Sequence, residues 1–580
     1  MKRSFFLLLS IVLLASCANV RDGEYKLEIL TTNDVHGAWF DSTYVGGSIR
    51  NSLFAVNSVV DSVRRAVGED NVLLLDAGDC LQGDNASYYF NYVDTTAEHL
   101  FVRLAHYMKY DAVVVGNHDV ETGHKVYDRV TSELKNYGIP FLAGNAVRND
   151  NGKPYFPEYK SFVRGGLKVT VLGFTNPNMA AWLSESLWSG MTFKSLIPLV
   201  QDEVDRIVKR EKPHIVVVMT HSGVGNGDGS SLESQGLDLF KSLKGVDVLV
   251  CSHDHRPVYF NDSERGICLV NSGSHSRNVG SVVANVTISG GKVVCKKLEA
   301  GLIPVNREKV DTAMRRFFQP DYLKVKAFTL QPVGRNDLPL CSRACYVGQA
   351  DYMNLIHTIQ LRCAPAQISF AAPLKHDGFV PAGDLVFNDL FTIYPFENQL
   401  YVMKMTGEEI LKCMEYSYDH WIQTATKPSD HVLRICLKCD TRNGNNAWSF
   451  AYPSFNFDSV GGLNYEVDVT RPYGSRIINV TFADGKPFEP SREYNVAMTS
   501  YRANGGGNII TEGAGIRDHD ERIVARYPEI RSLLYDFIRN YGQIDEKSIR
   551  NYSKIGSWRF VPENIADPAL KNDINLVFDK

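Results

Sequence analysis

From about residue 25 to residue 302 the chain alternates short, continuous apolar runs with longer stretches in which apolar positions recur every three or four residues. The runs lie at 27–30, 72–75, 112–115, 169–172, 215–219 and 246–250. Continuous β-branched runs of this length predict strands covered on both faces. The intervening stretches 49–66, 97–109 and 199–212 predict amphipathic helices, and the alternation as a whole predicts an α/β architecture. Residues 305–330 turn charged and helix-compatible (Arg307, Glu308, Lys309, Asp311, Arg315, Arg316), with Pro320 and Pro332 as punctuation, which predicts a connecting helix. A second unit follows, with helical patterns at 352–361, 407–418 and 529–541 and strand-like runs at 400–405 and 494–498. No internal repeat or low-complexity tract interrupts it. The expected layout is a processed segment over 1–17, a first domain over 25–304, a connecting helix over 305–332, a second domain over 333–563 and a tail over 564–580.

Length agrees with this division, because 580 residues exceed what one hydrophobic core usually supports. A net charge of -4 gives no reason to expect duplex nucleic acid or an acidic membrane surface as a partner, and nothing points to an obligate protein partner. The first residues do change the picture. Lys2 and Arg3 precede an apolar stretch over 5–14 and then Leu14-Ala15-Ser16-Cys17, too short to span a bilayer as a mature helix. A small-residue pair before a cysteine resembles a bacterial lipobox, which implies cleavage and a lipidated Cys17. The expectation is an exported protein held at the envelope, on its periplasmic face or at the cell surface, by that anchor alone. Ten further cysteines fix no disulfide pairing. Cys341-x-x-x-Cys345 and Cys436-x-x-Cys439 have zinc-like spacing but no second pair at ribbon distance, so they are expected as buried thiols or disulfide partners.

Polar residues concentrate where the predicted strands end. Residues 27–30 lead into Asn33-Asp34-Val35-His36, residues 72–75 into Asp76-Ala77-Gly78-Asp79, and residues 112–115 into Gly116-Asn117-His118-Asp119; residues 215–219 lead into Thr220-His221, and residues 246–250 into Ser252-His253-Asp254-His255. Open α/β folds place their sites at the carboxyl ends of their strands. One His or Asp at a strand end is ordinarily a turn or cap residue; five such ends in one chain are a far more specific signal. Carboxylate, imidazole and amide donors without thiolates suit borderline divalent ions.

The series Asp34-x-His36, Gly78-Asp79, Gly116-Asn117-His118-Asp119, His221 and His253-x-His255 resembles the calcineurin-like metallophosphoesterases, and within them the 5'-nucleotidase family. The resemblance extends through Pro381-Ala382-Gly383-Asp384, Tyr394-Pro395-Phe396 and Gly407-Glu408-Glu409. It implies an α/β/β/α sandwich, a connecting helix and a smaller α/β substrate-binding domain. It also implies two divalent ions, of zinc, manganese, cobalt or iron: Asp34, His36 and His255 would hold one, Asn117, His221 and His253 the other, and Asp79 would bridge them. Such a bridge lets two cations sit about 3.5–4 Å apart and activate one water for in-line displacement at phosphorus. His118 would stabilise or protonate the departing oxygen, partnered by Glu121, with Asp119 as the rival partner. A base would stack between Phe396 and Tyr501.

Within the family, 5'-nucleotidases carry Asn-Gly-Gly-x-Arg for phosphate contact, whereas this chain has Ser369-Phe370-Ala371-Ala372-Pro373-Leu374-Lys375. That stretch, Tyr501-Arg502-Ala503 and Ser557-Trp558-Arg559-Phe560 resemble the bacterial 2',3'-cyclic-nucleotide 2'-phosphodiesterase/3'-nucleotidase branch. The expected function is therefore an exported dinuclear-metal nucleotide phosphoesterase of that type, serving nucleotide catabolism and phosphate or nucleoside scavenging. A 5'-nucleotidase or UDP-sugar hydrolase is the alternative, because Tyr394-Pro395-Phe396-Glu397-Asn398 keeps its spacing. A catalytically silent surface nucleotide-binding protein is the distant one, although none of the seven implied metal ligands is broken.

Overall fold

The computed structural model describes residues 20–396, 398–439 and 446–579, so the signal segment and Cys17 lie outside the described residues. Two six-stranded sheets stack face to face. The first has the order Lys292–Pro304, Asn278–Ser289, Gly23–Thr32, Val72–Asp76, Ala112–Val114, Phe141–Leu142, and the second Val258–Asp262, Ile267–Asn271, Val248–Val250, Ile215–Thr220, Leu167–Phe174, Tyr159–Arg164. The four strands Gly23–Thr32 to Phe141–Leu142 run parallel, as do the four central strands of the second sheet; antiparallel strands close both edges of the second sheet and one edge of the first, whose other edge is the parallel strand Phe141–Leu142.

Period-two alternation explains the layers. Leu73 and Leu75 enter the core between the sheets with Val217 and Met219. Leu74 points outward under helices Leu53–Val67, Leu100–Met108 and His124–Asn136. Val216 and Val218 point outward under helix Leu196–Glu211. Both faces of each sheet are thus apolar, which is why the strands read as unbroken hydrophobic runs, and the layering is the expected α/β/β/α sandwich.

The connecting helix spans Thr312–Thr329, capped by the Asp311 carboxylate, which accepts from the Ala313 and Met314 N–H groups. Pro320 lies inside this helix rather than punctuating it; Met314, Phe318 and Val325 bury against the first domain, and that packing outweighs one lost backbone hydrogen bond. The second domain is built on a five-stranded sheet, Ser459–Gly461, Ile368–Ala371, Glu493–Thr499, Gln399–Thr406, Ile523–Glu529, with helix Gly407–Trp421 on one face and helices Asp351–Cys363 and Ile530–Tyr541 on the other. Residues expected as a tail form helix Glu563–Phe578 instead, with Ala566, Ala569, Leu570 and Val577 buried in the core of the second domain. Pro568 is an interior residue of this helix, and the burial of that apolar face outweighs the backbone hydrogen bond it removes.

Candidate active site between the two domains

All five polar strand ends meet at one pole of the sandwich. Asp34 and Asp79 follow parallel strands of the first sheet, His221, His253 and His255 follow parallel strands of the second, and Asn117 opens the short helix Asn117–Glu121 after Ala112–Val114. Five of these residues, Asp34, His36, Asp79, His253 and His255, have φ between 48° and 70°, in the left-handed region that non-glycine residues rarely occupy. Strain of this kind persists only where its surroundings hold it in place. Glycines make the close approach possible: a Cβ on Gly116 would stand 2.1 Å from Oδ1 of Asp79, and one on Gly78 would stand 2.7 Å from Nδ1 of His221.

Two clusters result. In the first, Nε2 of His36 and Nε2 of His255 are 3.0 Å apart, with Oδ1 of Asp34 3.6 Å from His255. In the second, Oδ1 of Asn117 lies 3.0 Å from Nε2 of His221 and 2.9 Å from Nδ1 of His253. Oδ2 of Asp79 is 3.1 Å from Nε2 of His221 and 4.0 Å from Nε2 of His36, so this carboxylate faces both clusters; Oδ1 of Asp34 also comes within 4.0 Å of Nε2 of His221.

The donors fit cations. Nδ1 of His221 is 2.7 Å from the Ala77 carbonyl, which can only accept, so a neutral His221 turns its Nε2 lone pair toward two further oxygens, those of Asn117 and Asp79. Burial lowers His221, but the Asp79 carboxylate outweighs it and raises the imidazole to about 9; a cation bound by these converging atoms would take the place of that proton. Burial pushes Asp34 up to about 8, a cost that a nearby cation would offset.

The surroundings fix the ligands. Asn33 donates to Asp34 at 2.6 Å and to the Gly273 carbonyl, and the His253 N–H donates to Asp34. Asp119 accepts from four backbone N–H groups, those of Asp79, Cys80, Leu81 and Gly116. That occupation leaves it no role as the partner of His118. Nδ1 of His118 instead meets Oε2 of Glu121 at 2.5 Å. Burial lowers the His118 pKa, but the Asp79 and Glu121 carboxylates outweigh it and raise the imidazole to about 10.

A cleft of about 400 Å³ runs from this pole to the second domain. Phe396, Tyr501 and His118 all line it. Tyr394 does not; it is buried in the second-domain core. Gly506 lies flat against the Tyr501 ring, where a Cβ would come within 2.5 Å. Sequence reasoning missed several neighbours. Trp182 stacks on His253 with ring centroids 5.0 Å apart, and Phe455 and Asn398 join the cleft wall. His275, with φ 54°, sets its ring 5.3 Å from that of His36. None of these belongs to a strand-end pattern, so only their adjacency in space marks them. Arg502 lines the cleft but spends its guanidinium on Asp458, Asn456 and the Phe455 and Gly506 carbonyls, which makes it a brace for the Tyr501 loop. Cys80, Cys251, Cys268, Cys295, Cys341, Cys345, Cys363, Cys413 and Cys436 are free thiols, and among the described residues the candidate metal groups contain no cysteine.

Residues 27–257 match the calcineurin-like phosphoesterase family, and residues 332–512 match the 5'-nucleotidase C-terminal domain. The trifunctional nucleotide phosphoesterase protein YfkN of Bacillus subtilis is 24% identical over 593 residues, an alignment covering 91% of this chain but 39% of that longer protein. A 2',3'-cyclic-nucleotide 2'-phosphodiesterase/3'-nucleotidase of Haemophilus influenzae is 24% identical over 608 residues, 93% of this chain and 88% of the relative. A Staphylococcus aureus protein assigned as a 5'-nucleotidase, solved in complex with alpha-ketoglutarate, shares the fold with a TM-score of 0.75 at 21% identity, over 92% of this chain and 99% of its own. The chain is therefore a metal-dependent phosphoester hydrolase, built as a calcineurin-like phosphoesterase domain followed by a 5'-nucleotidase C-terminal domain.

Proposed function

We propose that this chain is an exported, lipid-anchored nucleotide phosphoesterase of the 2',3'-cyclic-nucleotide 2'-phosphodiesterase/3'-nucleotidase type. The observation that carries the reading is the single cleft whose lining includes Asp79, Asn117, His253 and His255 on one side and Phe396 and Tyr501 on the other. A phosphate held at the metal pole leaves a nucleoside lying toward the aromatic wall. Asp34, His36 and His255 would hold one divalent ion, Asn117, His221 and His253 the second, with Asp79 between them. When bound, the pair neutralises phosphate oxygens and supplies activated water.

The chain's own residues complete the chemistry. His118, held by Glu121, delivers its proton to the departing ribose oxygen. Phe396 and Tyr501 clamp the base through its π face, which tolerates different bases. Ala372 and Leu374 from the stretch Ser369 to Lys375 line the same cleft, which supports the cyclic and 3'-nucleotide reading over one that needs an arginine there. Phe396 and Asn398 in the same wall favour a 5'-nucleotidase as the second reading.

A panel of 2',3'-cyclic, 3'- and 5'-nucleotides and a UDP-sugar, with added manganese, cobalt or zinc, decides between them. Preference for cyclic and 3' substrates is expected; preference for 5' substrates installs the second reading, and nucleotide binding without turnover would mean a silent binding protein. For the anchor, Cys17→Ser should abolish metabolic labelling with a lipid precursor, and unchanged labelling would exclude Cys17.

A further inference from the structure

The two ends of the sandwich differ sharply in charge. Parallel strands in both sheets deliver the metal residues at their carboxyl ends, so their amino ends and the hairpin turns beside them form the opposite pole. That pole comprises segments 20–26, 64–71, 106–111, 135–140, 160–168, 208–214, 241–247, 262–266 and 288–297, which together carry eighteen Lys and Arg against nine Asp and Glu. The whole chain has a net charge of -4, so a surplus of nine positive charges at one end is a pronounced segregation. Exposed apolar side chains accompany the cations: Val163 is 67% exposed, Val294 60% and Phe317 57%. A cavity of about 800 Å³ opens on the same pole, lined by Lys109, Lys160, Arg164, Tyr137 and Phe317 among others.

The start of the described chain is at this pole as well. Gly23 pairs with Ile288 beside the turn of the hairpin Asn278–Ser289/Lys292–Pro304, and the Asp22 carboxylate accepts from the Gly290 and Gly291 N–H groups. Cys17 precedes Val20 by three residues, a reach of about 10 Å at most. An anchor there cannot lie far from the basic pole. The metal pole stands a full strand away, since Gly23–Thr32 has ten residues, about 30 Å at the usual rise.

We propose that the pole opposite the metal edge is a docking face for the anionic headgroups of a membrane surface, which sets the active cleft facing the aqueous side. The orientation rests on the Cys17 anchor proposed above; the docking face itself does not. Clustered cations attract an anionic leaflet over about a Debye length, while Val163, Val294 and Phe317 supply apolar contact at the interface. A negative chain as a whole and a positive docking pole are compatible because screening makes the surface potential local.

The test uses the chain without residues 1–17, which keeps every element described and has no lipid. Flotation with vesicles containing about 30% phosphatidylglycerol in phosphatidylcholine should recover the protein at low salt and release it near 0.5 M NaCl. Vesicles of phosphatidylcholine alone should not bind. Reversing four exposed cations of the pole in one variant, Lys26→Glu, Lys244→Glu, Lys292→Glu and Lys297→Glu, should weaken binding at least about 10-fold while p-nitrophenyl phosphate turnover stays normal, which also shows the variant folds. Equal binding to both vesicle types, no binding, an unaffected variant, or retention by duplex DNA without retention by vesicles would each overturn the proposal. Failure of lipid labelling at Cys17 with intact vesicle binding would remove the anchor and leave the docking face.

Discussion

The two walls of the cleft are built on different principles. On the metal side Asp34, Asp79, Asn117 and His221 are buried, each set by partners on neighbouring strand ends, and five candidate ligands accept a left-handed backbone. On the recognition side Phe396 and Tyr501 are half-buried and Phe455 is exposed, carried on a short loop, a four-residue helix and a 3-10 turn. Chemistry at phosphorus requires donors fixed to fractions of an ångström, whereas stacking on a base requires only a flat surface at the right height. Strain and burial therefore concentrate on one wall, and adaptable aromatic area on the other.

That contrast can be broken most severely at Asp79. Asp79→Ala removes a carboxylate that faces both clusters, and turnover should fall below detection with loss of bound metal by elemental analysis. Near-normal activity in a metal-verified sample would sink the two-ion arrangement.

His118→Ala should cost about 10²- to 10⁴-fold in kcat with metal content intact, the usual worth of a positioned proton donor. Stoichiometric loss of metal would make His118 a ligand instead.

On the opposite wall the expected effects are smaller and selective. Tyr501→Ala should raise nucleotide KM by roughly 5- to 150-fold, corresponding to about 1–3 kcal/mol of stacking, and leave p-nitrophenyl phosphate kinetics almost unchanged. An equal loss on both substrates would mean that Tyr501 supports the fold.

The smallest effect separates recognition from stability within the second domain. Burial lowers His357 to about 3, where its ring bridges Ser369 and Ser459 of adjacent strands. Its unfolded pKa is near 6.5, so between these values the unfolded chain binds the extra proton and stability falls as pH is lowered through that window. His357→Gln should flatten the dependence of urea unfolding on pH by up to about 1.4 kcal/mol per pH unit. Parallel slopes for the two proteins would show that His357 is not the titrating group.

The metal wall was legible in advance because each ligand follows its strand by a few residues: Asp34 and His36 after Gly23–Thr32, Asp79 after Val72–Asp76, His221 directly after Ile215–Thr220. Local order along the chain becomes spatial order once parallel strands share a direction. The recognition wall was legible only where a glycine loop or a family motif marked it, at Tyr501 and Phe396. Trp182 and Phe455 reach the cleft, and His275 reaches the ring of His36, from segments with no periodic signal, and Trp182 touches His253 across 71 positions of sequence. The family resemblance implied Glu121 rather than Asp119 as the partner of His118; the physical reason lies in four backbone N–H groups that occupy Asp119.

By itself, then, the sequence determined the strands, their polar ends and the kind of chemistry those ends can perform, because burial on two faces and metal ligation both demand particular residue types at fixed short spacings. It did not determine how charge is arranged in space. Summed along the chain, Lys and Arg nearly cancel Asp and Glu and give no reason to expect an acidic surface as partner. Folding sorts the same residues by strand polarity, gathering cations at the amino ends and the metal-binding side chains at the carboxyl ends of the two sheets. Net charge is a sum, but an electrostatic surface depends on position, and with screening over about 10 Å only the tertiary structure decides what a partner meets.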